Sequence, residues 1–92
     1  MHIRLIVFSL QLPGCRSLKE KRQRMIGFKD KFGKLANVAV TESNYHDSHD
    51  LAEWSIVIIA KDKQTIHRIE SQVENGLTCM DVVITDVKSD WI

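Results

Sequence analysis

Two stretches of this chain are apolar on both faces when read at period two, and few small folds accommodate such a pair. In His2–Leu12, Ile6, Phe8, Leu10 and Leu12 share one face, while Ile3, Leu5 and Val7 occupy the other before it turns polar at Ser9 and Gln11. In Glu53–Ala60, Trp54, Ile56, Ile58 and Ala60 lie opposite Ser55, Val57 and Ile59. A strand covered on one side only alternates apolar with polar residues, whereas one apolar on both sides belongs inside its sheet. Both stretches are therefore expected as central strands.

Between them, Ser17–Leu35 reads as an amphipathic helix, because Leu18, Met25, Phe28, Phe32 and Leu35 fall on one side at about 100° per residue. Pro13-Gly14 supplies the turn that leads into it, and Ser17 followed by Glu20 fits a capping box. Gly33 and Asn37 mark where it stops. Asn37–Glu42 is expected as a short strand, with Val38, Val40 and Glu42 on one face, and Ser43–Leu51 as a polar loop. Asp62 can cap a second helix, whose stripe is Ile66, Ile69, Val73 and Leu77, with Gly76 expected as a left-handed C-terminal residue. Thr78–Ile92 alternates as a last strand. Its inward face is either Val83, Thr85, Val87 and Trp91 or Met80, Val82, Ile84 and Ile92.

The order βαββαβ, with right-handed crossovers, predicts an α+β ferredoxin-like split βαβ sandwich: a four-stranded antiparallel sheet, order 4-1-3-2, with two helices on one face. The two strands that composition marks as central are the first and third, which are the central ones in that topology. At 92 residues and 43% hydrophobic content, the chain can bury one modest core and is expected as a single domain. No apolar run approaches the roughly 18 residues of a membrane span, and no export signal opens the chain, so a cytoplasmic location is expected. Cys15 and Cys79 lack ligand-pair spacing and are expected as reduced thiols.

Charge is segregated along the chain. Arg16–Leu35 carries eight basic and two acidic residues, a net +6, and everything from Ala36 onward carries four basic and ten acidic ones, a net −6. Arg4 supplies the remaining unit of the overall +1.

The pattern LQLPGCRSLKEKR, followed by NVAVTE, YHD, a strand, a helix and a late Trp, resembles the YlxP-like family of small bacterial domains of unknown function. The resemblance runs nearly the whole chain, and Ser17–Arg22 is its most specific part. It implies a ferredoxin-like fold and, through gene neighbourhood with transcription–translation factors, a ribosome or RNA role. It carries no catalytic residues. After Asp47, members usually show Leu-Trp-Gln-Arg, whereas this chain has Ser48-His49-Asp50-Leu51.

The topology brings Gly14–Ser17, Lys21, Glu42 and Tyr45–Asp50 to one edge of the sheet, the expected functional address. Backbone N–H groups at Cys15–Leu18, with Arg16, have the chemistry to hold a phosphate, but a Ser17 cap already occupies those donors. His46, Asp47, His49 and Asp50 have the side-chain types of a metal site, yet a loop does not fix their geometry, and no metal or other cofactor is assigned. Cys15 near a helix start has no fixed base beside it. No nucleophile–base pair of recognisable spacing is present, so a non-enzymatic protein is expected.

On the basic helix and its entry, Arg16, Lys19, Arg24, Lys31 and Lys34 are the expected RNA phosphate contacts. The open sheet face lacks the aromatics of an RRM, so base reading in that style is not expected. The alternative is an oligomeric regulatory or small-ligand-sensing module without nucleic-acid binding. Ile3, Leu5, Val7, Val57 and Ile59 lie on the side that the helices leave bare, and a homodimer through that face is expected to cover them. Lys21 lies on the helix's apolar stripe, where a charge needs a partner. Glu42, third on the inward face of the second strand, is that expected partner in a structural ion pair.

Overall fold

The computed structural model describes residues 1–92, in the order β1 (His2–Gln11), α1 (Leu18–Gly33), β2 (Val38–Asn44), β3 (Leu51–Ala60), α2 (Lys63–Thr78) and β4 (Val83–Trp91). The strands form one antiparallel sheet in the order β2-β3-β1-β4, which is the ferredoxin-like split βαβ arrangement. As the double-sided apolar patterns require, β1 and β3 are the central strands. In α1, Met25, Phe28 and Phe32 are buried on the sheet, and in α2 Ile66, Ile69, Val73 and Leu77 are. They meet Ile6, Phe8 and Leu10 of β1 and Ala52, Trp54, Ile56 and Ile58 of β3 in a single core. Phe28 stands edge-on to Trp54 with ring centroids 5.7 Å apart, a favoured aromatic geometry. No helix is long and apolar enough to cross a membrane.

Both helices start where their capping residues say. Ser17 Oγ accepts from the Glu20 N–H at 3.1 Å, and Glu20 Oε2 accepts from the Arg16 N–H at 3.0 Å, one residue before the cap itself. Asp62 Oδ1 accepts from the Thr65 N–H at 2.7 Å. These bonds, first the backbone N–H of Arg16 for Glu20 and that of Thr65 for Asp62, hold both carboxyls below their ordinary range.

The helix ends differ from the sequence expectation. The first helix closes at Gly33 with Lys34 as its C-cap, so Leu35 lies beyond it and is 37% exposed. Gly76 stays inside α2 instead of ending it in left-handed conformation. Its missing side chain serves helix packing, because a Cβ there would sit 2.8 Å from the Phe32 ring. The loop expected over 43–51 is shorter, because β2 runs to Asn44 and β3 begins at Leu51. Tyr45, with φ of 63°, turns the chain between them.

The two candidate inward faces of the last strand are both used, one on each side of a β-bulge. Ile84 pairs with Leu10 and Asp86 with Ser9, leaving Thr85 as the extra residue. Directly paired residues share a face, so Ile84 joins Leu10 on the core side, and beyond the bulge Val87, Ser89 and Trp91 take that side opposite Phe8, Ile6 and Arg4. Met80, Val82 and Ile84 pack against the core. Trp91 instead sits under Arg4 (4.6 Å from Cζ to the ring centroid) and Lys63 (5.1 Å from Nζ), at the far end of the sheet.

Candidate functional site

The edge where β1 ends and α1 begins is tied together by backbone acceptors. The Leu12 N–H donates to the Asp50 carbonyl at 2.8 Å, and His49 Nδ1 lies 2.8 Å from the Cys15 carbonyl oxygen. At the centre is Lys21, which α1 presents among Met25, Phe28 and Phe32 on its buried face and which is itself only 3% exposed. Its Nζ lies 3.1 Å from Glu42 Oε2 and donates to the carbonyls of Tyr45 (2.7 Å) and Ser48 (2.8 Å). An ammonium has three N–H donors, and three acceptors surround it. The carboxylate supplies the countercharge; the carbonyls fasten the β2–β3 turn to the helix. Pattern reading points to Glu42, because Val38, Val40 and Glu42 alternate inward. The two carbonyls leave no trace in side-chain chemistry, since they depend on the turn conformation at Tyr45.

The five cations expected to meet RNA have different circumstances. Arg16, Lys19, Lys31 and Lys34 are exposed and form no ion pair. Arg24 is half-buried and committed to the fold: its guanidinium meets Glu20 Oε1 at 2.9 Å, donates to the Pro13 carbonyl at 2.8 Å and lies 3.7 Å from Asp81 Oδ2. It links the β1–α1 turn to the chain entering β4. Arg22 and Lys29, on a different side of the helix, are exposed and unpaired too.

The loop histidines turn toward different backbone carbonyls. His46 Nε2 lies 3.0 Å from the Glu42 oxygen, whereas His49 is directed at Cys15. Asp50 accepts from Ser48 Oγ at 3.0 Å. No three His, Cys, Asp or Glu side chains are grouped as metal ligands would be. Cys15 is buried, with its Sγ 3.5 Å from the Ser17 carbonyl, and Cys79 is exposed; neither is in a disulfide.

A second cluster escaped the sequence reading. Arg4, on the helix-facing side of β1 and stacked over the Trp91 ring, donates to Ser89 Oγ at 2.9 Å and approaches Glu70 of α2 at 3.5 Å. Its position at the same period as Ile6 and Phe8 was the available signal. The partner from α2 could be found only by folding the chain.

A family model described as "Protein of unknown function (DUF503)" matches residues 3–88, from the start of β1 to within β4. The match agrees with the resemblance carried by LQLPGCRSLKEKR. No curated protein matches the chain.

Proposed function

The chain belongs to the DUF503 family of proteins of unknown function, and we propose that it is a non-enzymatic, cytoplasmic binding protein for RNA or the ribosome, using the basic first helix and the adjoining sheet edge. The observation that carries this reading is that Arg16, Lys19, Lys31 and Lys34, on or flanking the first helix, are all exposed and none is in an ion pair. Unpaired cations along one helix are what phosphate contacts need, and the acidic remainder of the chain keeps a polyanion to that side. The test is sedimentation of a lysate through a gradient at low and high salt. Co-migration with ribosomal fractions at low salt, weakened by Lys31→Glu with Lys34→Glu, is the expected result. Absence from every ribosomal fraction at low salt overturns the reading.

We also propose that the protein works as a homodimer through the open face of the sheet. Ile3, Leu5, Val7 and Val57 are only half-buried there, and Ile59 is 40% exposed. Leu5 pairs with Val57 and Ile3 with Ile59, so the aliphatics form one patch across the two central strands. A two-fold contact covers the patch with itself.

A further inference from the structure

Between α1 and β2 lies a groove of about 460 Å³, within the range of small-molecule sites. Leu18, Met25 and Val40 give it an aliphatic wall and its floor includes Trp54, while the lining also contains the Glu42 carboxylate, whose charge is already paired with Lys21. On the helix rim stand Arg22 and Lys29, both exposed and neither in an ion pair. Seven residues apart, they lie about 10 Å apart along one side of α1. Ile26 lies between them and is 58% exposed.

Trp54 adds an independent observation. The residue is 6% exposed, and its indole N–H, a donor with no acceptor role, has no hydrogen-bond partner. Buried indole N–H groups are ordinarily satisfied, because leaving one orphaned costs its full desolvation. The neighbouring ammonium cannot explain the vacancy in bonding, since Lys21 is a donor only and its three bonds are already directed to Glu42, Tyr45 and Ser48.

We propose that this groove binds a small amphipathic anion, with an apolar body against the Leu18, Met25 and Val40 wall and a carboxylate or phosphate group as acceptor. Arg22 and Lys29 select the negative charge at the rim, and an oxygen of the anion accepts from Trp54. Met25, unbranched and adaptable, is the lining side chain that yields to let that oxygen reach the shielded indole. A cationic amphiphile is rejected, since Arg22 and Lys29 repel it, the Trp54 N–H is only a donor, and the one carboxylate in the lining, Glu42, is already paired with Lys21. This site is independent of the RNA reading: it uses Arg22 and Lys29, whereas the proposed phosphate row is Arg16, Lys19, Lys31 and Lys34.

The experiment is a proton–nitrogen NMR titration of the full chain with octanoate, octyl phosphate, octylamine and octanol, each at up to a few millimolar. The protein has two indole N–H signals, and Trp91→Phe assigns the one from Trp54. The expected result is a downfield movement of the Trp54 indole proton with one or both anions, accompanied by the amides of Ile26 and Thr41. Octylamine and octanol leave that proton in place. A preference for octanoate assigns a carboxylate ligand, and a preference for octyl phosphate a phosphate ester. In the surface double variant R22Q/K29Q, which leaves the core untouched, anion affinity falls on the order of tenfold. A Trp54 indole that stays still with both anions overturns the proposal. So does an equal response to octylamine, or an affinity unchanged in R22Q/K29Q. Shifts confined to Val7 and Val57 would also overturn it, by moving the amphiphile to the open sheet face.

Discussion

Lys21 is the residue on which the edge of this molecule depends, because one ammonium satisfies three acceptors from two segments: the Glu42 carboxylate and the carbonyls of Tyr45 and Ser48. Lys21→Met leaves Glu42 facing the core without a countercharge and removes the ammonium from both carbonyls, of which that of Tyr45 keeps the Ser48 N–H as a donor at 3.0 Å. A loss of about 3 kcal/mol is expected, read as a lower urea midpoint at unchanged slope. The double variant K21M/E42L removes the unpaired charge and should recover part of that loss. Recovery stays incomplete, since the Tyr45 and Ser48 carbonyls remain without the ammonium. Complete recovery would mean that the carbonyl bonds contribute nothing. Trp54 behaves differently at the same scale. It is central in the core by pattern, yet that pattern does not show that its buried N–H has no partner.

Each helix is held by its ends and its neighbour. The carboxyls of Glu20 and Asp62 are lowered mainly by accepting from the backbone N–H groups of Arg16 and Thr65. A carboxyl whose folded value is depressed contributes stability that is fully present above its unfolded value and is lost as pH falls through the folded one. Urea midpoints should therefore fall below about pH 4, the unfolded carboxylate range, and the variant E20Q/D62N should show a shallower fall over the same window. Where the helices meet, Gly76 and Phe32 are matched. Gly76→Ala is expected to destabilise by about 1–3 kcal/mol through overpacking against that ring, although alanine is the better helix former. Gly27→Ala is the control: nothing lies within 4 Å of its Cβ position, so a gain of roughly 0.5–1 kcal/mol in thermal or urea stability is expected.

At the scale of the whole molecule, the cationic helix and the bare sheet face lie on opposite sides of the sheet, so RNA binding and self-association do not compete for one surface. With about four phosphate contacts, a fourfold rise in salt should weaken binding to single-stranded RNA roughly fifty-fold, measured by fluorescence anisotropy. Lys31→Glu with Lys34→Glu should weaken all sequences alike. Leu5→Glu places a charge in the middle of the aliphatic patch on β1, and light scattering at tens of micromolar, on the order of concentrations at which weak dimers form, should show the wild type as a dimer and the variant as a monomer. A wild-type protein that scatters as a strict monomer excludes the self-contact and leaves the patch to a different partner.

The sequence by itself determined the element order, the two central strands, both helix N-termini and the inward placement of Lys21 and Glu42. Each of these follows from a local rule: apolar period, a capping side chain, or the alternation of one strand. Tertiary structure alone decided the rest. Leu35 lies outside the helix because α1 ends two residues earlier, and Gly76 lies inside α2, where its lack of a side chain leaves room for the Phe32 ring. The last strand's two apolar sets could not be reconciled at period two, because a bulge at Thr85 moves the second set to the other face and a bulge is a property of pairing. The carbonyls around Lys21, the orphan donor of Trp54 and the groove beneath Arg22 and Lys29 belong to the same class. They are made by distances between segments far apart in the chain, and periodicity carries no information about those distances.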